Sequence, residues 1–514
     1  MKKRFLFLSS AILLILLTAA AQAVQSVVRI LHVNDFHGFA EPYRPYGSDE
    51  MLGGISFLAA GAERLRKERP TLLLAAGDMI QGANWANMFL GGSVIELMNE
   101  MRFDAMALGN HEFDFGVDVL KKRTSEARFP VLCANVEGLD MVKPFTIREI
   151  NGVKIAVIGV VTEDVPLSTH PKNIAGLKFD PPADVIKKYQ EVLKDKTDII
   201  IVLSHIGHSA DRELARKVPG LAAIVGGHSH TKVLTPVMIG DTAVVQAWEH
   251  GKALGVLDLT LEDRRIVKAE GRLVEIGPKG GISNTEVNAI VEKYRGKVDA
   301  VLDETIGEAL ADLDGESVRQ QETSLGDLIA DIIRNAANSD AAIIGGGSIR
   351  TSIKKGEIKV KHVYSVSPFN NYVVAVRLTG RQVREALEHG VSAIEDSAGR
   401  FPQVSGISFV YNRSAPVGSR VREVMINGQR TDPDKEYSVA TDDFLAAGGD
   451  GYKAFGEAVR ASRDYSVVGG MMKGERLAYS NSGKWVRDVI IDYIKDRKII
   501  SPAVEGRIIE IQEQ

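Results

Sequence analysis

The stretch Asn34-Asp35-Phe36-His37-Gly38 directly follows an apolar run at residues 27–33. An apolar run of this length, bounded by polar residues and glycine, predicts a buried strand. The carboxylate of Asp35 and the imidazole of His37 then fall where that strand ends. In an α/β layer the carboxyl ends of the strands meet at one edge, where loops carry function. This stretch therefore predicts an α/β fold and indicates which edge carries the chemistry.

Four further short segments place Asp, Asn or His after an apolar run in the same way. They are Gly77-Asp78, Gly109-Asn110-His111-Glu112-Phe113-Asp114, Leu203-Ser204-His205 and Gly227-His228-Ser229-His230. A lone Asp after a strand is usually a turn residue or a helix cap, and a lone His is more often structural than a ligand. Five such segments in one half of the chain instead predict a two-metal hydrolase site, with Asp78 as the bridging carboxylate. Carboxylate, amide and imidazole ligands suit Mn²⁺, Zn²⁺ or Co²⁺, and the lack of Cys argues against a structural zinc site.

The first 23 residues are typical of an export signal. Lys2, Lys3 and Arg4 precede an apolar stretch, and Ala21-Gln22-Ala23 has the small-x-small pattern of a cleavage site. This pattern predicts a signal peptide (residues 1–23) cut after Ala23 and a periplasmic or secreted protein. The alternative is an uncleaved anchor, for which the apolar stretch is short. No later segment approaches spanning length, so we expect no membrane span after cleavage.

The composition limits the partners. The chain carries 63 Lys and Arg against 67 Asp and Glu, which argues against a protein that follows the phosphates of a nucleic-acid polymer. An anionic substrate must then be met by metals and a few arginines rather than by a basic surface. Cys133 is the single cysteine, so no internal disulfide can form, and we expect it to be a buried strand residue.

The chain of 514 residues is too long for a single core and predicts at least two domains. Residues 24–276 alternate strands with amphipathic helices, and the strand-rich region 241–276 is expected to add a second, more antiparallel sheet. A break rich in Gly, followed by a helical stretch, marks residues 277–302 as a linker or hinge. Residues 303–514 mix helices, one of them predicted at 483–497, with strands in a second α/β domain. The predicted strands of the first domain are 27–33, 71–76, 105–108, 131–135, 154–161, 198–204 and 222–225, and its predicted helices include 55–68, 117–128 and 183–194.

The order of the metal motifs resembles that of the calcineurin-like metallophosphoesterases. The longer forms at residues 34–38, 77–82 and 109–114 are similar to the 5′-nucleotidase branch, which includes UDP-sugar hydrolases and 2′,3′-cyclic phosphodiesterases. The resemblance covers nearly the whole mature chain. It implies an N-terminal four-layer αββα metallophosphoesterase domain followed by a second α/β domain that binds the substrate.

The resemblance also implies roles for individual residues. One divalent ion would be held by Asp35, His37, Asp78 and His230, and the other by Asp78, Asn110, His205 and His228. His111 and Asp114 would form a catalytic dyad, because the spacing lets Asp114 accept a hydrogen bond from one ring nitrogen of His111. The alternative for Asp114 is a helix cap. Among the other histidines, His32 is interpreted as packed and His208 as a solvent-facing loop residue, while His170 and His250 have no assigned role.

Motifs in the second half are similar to the C-terminal domain of 5′-nucleotidases. They lie at residues 345–350, 367–371, 399–406 and 443–452. A glycine run can form an anion nest, an arginine beside it can pair with phosphate, and an aromatic face can stack on a base. By the resemblance, substrate contacts fall on Arg350, Asn371, Phe401, Phe444 and Asp450, with the two phenylalanines sandwiching the base. Asp327 stands where this family commonly has Asn.

These observations lead to the hypothesis of an exported two-metal phosphohydrolase that acts on nucleotides as a 5′-nucleotidase, UDP-sugar hydrolase or 2′,3′-cyclic nucleotide phosphodiesterase. One alternative is a di-manganese thiosulfohydrolase of similar fold, against which the base-stacking motifs argue. Another is a catalytically silent surface binding protein, against which the complete ligand set argues.

Overall fold

The computed structural model describes residues 25–511 apart from 46, 47, 170, 264, 280, 469 and 470. The expected signal peptide and His170 therefore lie outside the described residues. Two six-stranded sheets form the centre of the first domain. In spatial order, the first consists of Arg265–Glu275, Ala253–Glu262, Gln25–Val33, Thr71–Ala76, Ala105–Ala107 and Val131–Leu132. The second consists of Val237–Ile239, Thr242–Gln246, Ala223–Gly226, Ile199–His205, Val153–Val161 and Phe145–Ile150.

Helices cover the outer face of each sheet. Against the first sheet lie Ile55–Glu68, Asn84–Asn87, Gly92–Glu100 and Val117–Glu126. Against the second lie Pro182–Leu193 and His208–Lys217. Apolar side chains from both sheets, such as Ile30, Leu72, Val157 and Ile201, form one buried cluster between them. Burial on both faces of each sheet explains why these strands read as near-continuous apolar runs, and it gives the four layers that the resemblance implied.

The expectation for residues 241–276 is wrong in part. The strand Ala253–Glu262 does not open a new sheet but pairs antiparallel with Gln25–Val33, which places Leu257 opposite Ile30 and Leu259 opposite Val28. Thr242–Gln246 instead pairs in parallel with Ala223–Gly226 in the second sheet. The strand Gln25–Val33 has an edge at which the apolar strand Ala253–Glu262 can pair. A local sequence pattern does not show which strand pairs at such an edge.

The helix Thr285–Leu302 lies within the segment expected to link the domains. Its first half packs in the core of the first domain through Val287, Val291 and Tyr294. Its second half packs through Val298 and Leu302 in a core of the second domain. Asn284 caps its start by accepting a hydrogen bond from the backbone N–H of Val287, as N-cap asparagines do. The connection is therefore a packed helix that touches both domains.

The second domain has a five-stranded sheet made of Pro402–Ser405, Ala341–Gly345, Glu436–Asp442, Tyr372–Thr379 and Leu477–Trp485. Its helices are Ser324–Ala336, Val360–Val366, Gly380–Gly390, Asp443–Ala446, Lys453–Arg460 and Val486–Arg497. The last helix starts three residues later than predicted, because residues 483–485 still belong to a strand. Smaller sheets unite Gly356–Lys359, Thr305–Ala309 and Ile499–Ile500, and Gln429–Arg430, Val421–Ile426, Ile407–Tyr411 and Ile508–Glu510.

Within the described residues, no helix combines the length and the apolarity that a membrane span requires. Cys133 is free and buried, as expected, but it follows the strand Val131–Leu132 rather than lying within a strand.

Candidate metal centre and substrate cleft

The polar residues that follow the strands of both sheets in the first domain lie together at one place. Asp35, Asp78, Asn110 and His228 come two or three residues after their strands, and His205 is the last residue of its own. Five residues of the turns that follow these strands adopt a left-handed backbone, which residues other than glycine rarely adopt, with φ between 49° and 78°: Asp35, His37, Asp78, His228 and His230. Each such residue costs roughly 1–3 kcal/mol, and strain of this kind is concentrated at functional sites.

Asp35, His37 and His230 form the first cluster, with their ligand atoms within 4.8 Å of one another. Nε2 of His230 lies 3.3 Å from Oδ1 of Asp35 and 3.3 Å from Nε2 of His37. A divalent cation placed between these two ring nitrogens and the carboxylate oxygen could bind all three groups.

Asp78, His205 and His228 form the second cluster by the same criterion. Oδ2 of Asp78 lies 3.1 Å from Nε2 of His205 and 3.7 Å from Nε2 of His37. Asp78 therefore touches both clusters, as a bridging carboxylate must. Asn110 belongs to the second cluster, since its Oδ1 lies 2.9 Å from Nδ1 of His228.

Backbone and side-chain acceptors fix the orientation of the histidine rings. Nδ1 of His37 lies 2.9 Å from the carbonyl oxygen of Gln81, and Nδ1 of His205 lies 2.6 Å from that of Ala76. Nδ1 of His230 contacts a carboxylate oxygen of Glu249. A hydrogen bond from one ring nitrogen leaves the lone pair on the other free to bind a metal. These contacts point the opposite nitrogens of all three rings at the clusters.

The donor set fits divalent metal ions. Nε2 of His205 is fully buried and has no hydrogen-bond partner of regular geometry within the described residues. Burial tends to lower the pKa of His205, but the carboxylates of Asp78 and Asp35 raise it to about 10. Burial lowers the pKa of His228 to about 3, with His205 acting in the same direction. Buried carboxylates and imidazoles in such contact are stabilised by a bound cation.

Glu112 anchors the loop that carries Asp78. Its buried carboxylate accepts hydrogen bonds from the backbone N–H groups of Asp78, Met79, Ile80 and Gly109 at 2.6–3.1 Å. The sequence placed Glu112 inside a motif without giving it a role. Glu112 therefore ties together the turn that carries Asp78 and the turn that carries Asn110, because Gly109 directly precedes Asn110.

His111 and Asp114 form the expected pair, with Nδ1 of His111 lying 2.7 Å from Oδ2 of Asp114. Asp114 does not cap the following helix, whose N-cap is Gly116. Burial opposes protonation of His111, but the nearby carboxylates of Asp114 and Asp78 raise its pKa above the ordinary value. Burial raises the pKa of Asp114 in turn. The ring of His111 lies at the wall of a large cleft between the domains.

The cleft has a volume of about 1390 Å³ and is lined by residues of both domains. Its size exceeds the range of roughly 300–1,000 Å³ that is usual for small-molecule sites. Arg350 crosses the cleft, since its Nη2 lies 3.1 Å from Nε2 of His37. Burial lowers the pKa of Arg350 to about 10, with Arg319 acting in the same direction. The second domain therefore places a positively charged guanidinium group beside the first cluster.

The structure separates the two phenylalanines that were expected to sandwich a base. Phe444 lines the cleft. Phe401 does not, because its side chain is 1% exposed and packs in the core of the second domain, with its ring centroid 6.4 Å from that of Tyr411. Phe369 also lines the cleft, and its ring lies 5.8 Å from the ring of His111 and 5.9 Å from the guanidinium carbon of Arg350.

The remaining predicted contacts of the second domain lie at the cleft. Asn371 and Asp450 line it, together with Arg319 and Arg400, which the sequence did not single out. Burial raises the pKa of Asp450, while Arg319 and Arg400 lower it. Asp450 has a left-handed backbone with φ of 51°, in a turn that follows Gly448. The cleft therefore brings the acidic acceptor Asp450 together with arginines and aromatic rings of the second domain.

The other histidines divide into packed and cleft residues. His32 is buried beside Gly255, and burial lowers its pKa to about 3, in agreement with its interpretation as a packed residue. His208 is not in a solvent-facing loop but begins the helix His208–Lys217 and lines the cleft. His250 stacks on Phe39 at 3.9 Å between ring centroids.

Comparisons with known proteins match this arrangement. Residues 28–232 match the family model of calcineurin-like phosphoesterases, and residues 300–457 match that of the 5′-nucleotidase C-terminal domain. The 5′-nucleotidase of Diplobatis ommata is 31% identical over 98% of this chain and 93% of its own length. The trifunctional nucleotide phosphoesterase protein YfkN of Bacillus subtilis is 34% identical over 86% of this chain, which spans only 33% of that protein. The crystal structure of a 5′-nucleotidase precursor from Thermus thermophilus superposes with a TM-score of 0.85 at 32% identity, covering 95% of this chain and all of the other.

The four-layer domain, its two ligand clusters and the attached second domain define a calcineurin-like metallophosphoesterase, an enzyme class that uses divalent metals to hydrolyse phosphoric monoesters. The matches extend over both domains and nearly the whole chain. The chain belongs to the 5′-nucleotidase family.

Proposed function

We propose that this chain is an exported 5′-nucleotidase that removes phosphate from nucleotides with two divalent ions, of which manganese, zinc or cobalt match the ligands best. The observation that carries the proposal is the shared cleft. It joins the two ligand clusters to Phe369, Phe444 and Asp450. A phosphate at the metal centre and a base on the aromatic rings would then belong to one substrate.

The ligands divide between two ions that share Asp78. The first cluster, Asp35, His37 and His230, would hold one ion, and His205, His228 and Asn110 would hold the other. When bound, such a pair of ions supplies an activated water and positive charge for the phosphoryl oxygens. Asp114 accepts a hydrogen bond from Nδ1 of His111, which leaves Nε2 free to donate a proton or a hydrogen bond to the substrate.

The second domain would recognise the rest of the nucleotide. Phe369 and Phe444 offer aromatic faces to the base, and stacking tolerates any base because each has a π-face. Asp450 can accept hydrogen bonds from the ribose hydroxyls. Arg350 has a planar fork that suits phosphate, and Asn371 adds a polar contact. The volume of the cleft leaves room for a second phosphate or a sugar, which keeps UDP-sugars and 2′,3′-cyclic nucleotides among the candidate substrates.

The cellular location and the domain limits belong to the same proposal. Residues 1–23 would be removed on export to the periplasm or the medium. Residues 24–276 would be the catalytic domain, 277–302 the linker or hinge, and 303–514 the substrate-binding domain. The substrate would be a small nucleotide rather than a nucleic-acid polymer.

A substrate panel tests the proposal. Mature protein is stripped of metal with EDTA, reloaded with Mn²⁺ or Co²⁺, and assayed on AMP, ATP, UDP-glucose, 2′,3′-cyclic AMP and a thiosulfonate compound. We expect metal-dependent release of phosphate from at least one nucleotide. Turnover of the thiosulfonate alone would support the thiosulfohydrolase alternative, and no turnover of any compound would support a silent binding protein.

A further inference from the structure

His230 of the first cluster is held differently from His37 and His205. His37 and His205 direct Nδ1 at backbone carbonyl oxygens. His230 directs Nδ1 at the carboxylate of Glu249, nineteen residues further along the chain. A carboxylate on the outer nitrogen fixes the tautomer of a metal-binding histidine and makes its inner nitrogen a stronger ligand. The two clusters therefore differ in the chemistry that surrounds them.

Lys252 holds the other oxygen of Glu249. Nζ of Lys252 lies 2.6 Å from Oε1 of Glu249, and the lysine is only 1% exposed. The same Nζ lies 3.9 Å from the ring centroid of Trp248. Burial of an ammonium group costs free energy unless the group is paired. Packing alone therefore does not explain a lysine at this position. Lys252 keeps the carboxylate ionised, and an ionised carboxylate can only accept hydrogen bonds.

The segment that carries Glu249 is also tied to the metal ligand Asp35. The backbone N–H of His250 donates to the carbonyl oxygen of Asp35 at 2.7 Å. Asn34 bridges the two parts, since its Nδ2 lies 2.5 Å from the carbonyl oxygen of Trp248 and 2.6 Å from Oδ2 of Asp35. Trp248 and His250 both adopt the left-handed backbone, with φ of 65° and 54°. Strained residues held by such contacts fix the position of Glu249.

We propose that Glu249, held by Lys252, is a positioning residue that gives the first cluster a higher metal affinity than the second. The inference rests on the proposed metal binding. Glu249 accepts a hydrogen bond from Nδ1–H of His230, so Nε2 presents its lone pair beside Asp35 and His37. The second cluster has no such carboxylate on His205 or His228 among the described residues. Ions would therefore fill the first cluster before the second.

His250 could instead join His230 and Glu249 as ligands of a third ion, because the three offer ligand atoms within 4.8 Å of one another. The contacts of His250 argue against this. Its Nδ1 lies 3.0 Å from the hydroxyl of Tyr43, and its ring stacks on Phe39. The ammonium group of Lys252 on Glu249 would also repel a cation there.

Calorimetric titration of the metal-free mature protein with Mn²⁺, without any substrate, tests the proposal. We expect two ions per chain with distinct affinities. Glu249→Ala should weaken the tighter ion by about 10–100-fold and leave the weaker one unchanged. Glu249→Gln, which keeps an acceptor oxygen without the charge, and Lys252→Met should each weaken the same ion less. Lys232→Met is the matched control, because Nζ of Lys232 also lies 3.9 Å from the ring of Trp248 without touching Glu249. It should leave both affinities unchanged.

Two results would overturn the proposal: unchanged affinity of the tighter ion in Glu249→Ala, or a third ion in the parent that this variant loses. If Glu249→Ala does not fold, Glu249→Gln and Lys252→Met still decide. Saturating Mn²⁺ should restore kcat in Glu249→Ala, whereas a merely structural defect would persist. Because the titration needs no substrate, a protein that binds Mn²⁺ as expected but hydrolyses no nucleotide contradicts the proposed function alone.

Discussion

Nδ1 of His111 and Oδ2 of Asp114 lie 2.7 Å apart at the wall of the interdomain cleft. The backbone N–H of His111 donates to Oδ1 of Asp78 at 2.9 Å, while its side chain pairs with Asp114. Asp114 is itself held in place, because Nδ2 of Asn173 donates to its carbonyl oxygen at 2.7 Å. The side chain of His111 is therefore expected to act on the substrate rather than to bind metal, and substitution of this side chain tests that expectation.

Replacement of His111 should remove turnover without removing metal. We expect His111→Ala to lower kcat by about 10²–10⁴-fold, the usual contribution of a positioned acid or base. Asp114→Ala should lower kcat on the order of 10²-fold, because the ring would lose its orientation. The double variant should be no worse than His111→Ala, since the two residues act as one unit. Metal content measured by mass spectrometry should stay at the parent's level, and loss of metal would mean that His111 is a ligand.

Asp78 lies between the two clusters, with Oδ2 3.1 Å from Nε2 of His205 and 3.7 Å from Nε2 of His37. Asp78→Ala should therefore abolish turnover and disturb both metal sites, whereas His228→Ala should affect only the second. Electron paramagnetic resonance of the Mn²⁺-loaded proteins distinguishes the two cases, because two ions roughly 3.5–4 Å apart give a coupled signal. A coupled signal that survives in Asp78→Ala would show that Asp78 does not bridge.

Phe369 and Phe444 should recognise the base, and Phe401 should not. Base stacking contributes about 1–3 kcal/mol per base, so Phe369→Ala or Phe444→Ala should raise KM for AMP roughly 5- to 150-fold. Hydrolysis of p-nitrophenyl phosphate, which has no base, should change little. Phe401→Leu is the control, because a swap in the core costs about 1 kcal/mol of stability and should leave KM unchanged. A raised KM for AMP in Phe401→Leu alone would restore the original assignment.

Asp327 should make stability depend on pH. Its side chain is 1% exposed, and burial together with the neighbouring carboxylate of Glu322 raises its pKa from 3.8 to about 8. The folded state therefore keeps a proton that the unfolded chain releases above pH 4, so stability is lost as the pH rises from about 4 to about 8. Asp327→Asn should remove this loss and stabilise the protein by roughly 1–3 kcal/mol at pH 8, with little gain near pH 4. Thermal unfolding of the metal-free protein at several pH values measures the effect, and a gain independent of pH would rule out titration of Asp327 as the cause.

The sequence predicted the first-domain fold and the residues that meet in the two clusters because both depend on local signals. Asp35, Asp78 and His205 each end an apolar run, and the edge of an α/β sheet brings such ends together. The predicted strands at 71–76 and 27–33 match the structure closely for the same reason. Where a strand pairs is not local, so the pairing of Ala253–Glu262 with the first strand was missed.

The residues that line the cleft were harder to predict because tertiary packing decides which face of a loop is exposed. Phe369 and Phe401 both lie in motifs rich in polar and small residues, yet one faces the cleft and the other the core. No role was predicted for Glu112 or Glu249, because each acts through another group. Glu112 holds the loop that carries Asp78, and Glu249 holds the ring of His230. A glutamate gives no sequence signal for a partner nineteen residues away. The motif that contains Glu112 did mark its position, but not the four backbone groups that it binds.

The dependence of AMP hydrolysis on bound metal tests the central claim most directly. Metal-free mature protein is titrated with Mn²⁺ while phosphate release from AMP and the number of bound ions per chain are measured together. The account predicts no turnover without metal and full activity only when two ions are bound. Phosphate release from AMP by the metal-free protein, or no release at two bound ions, would contradict it.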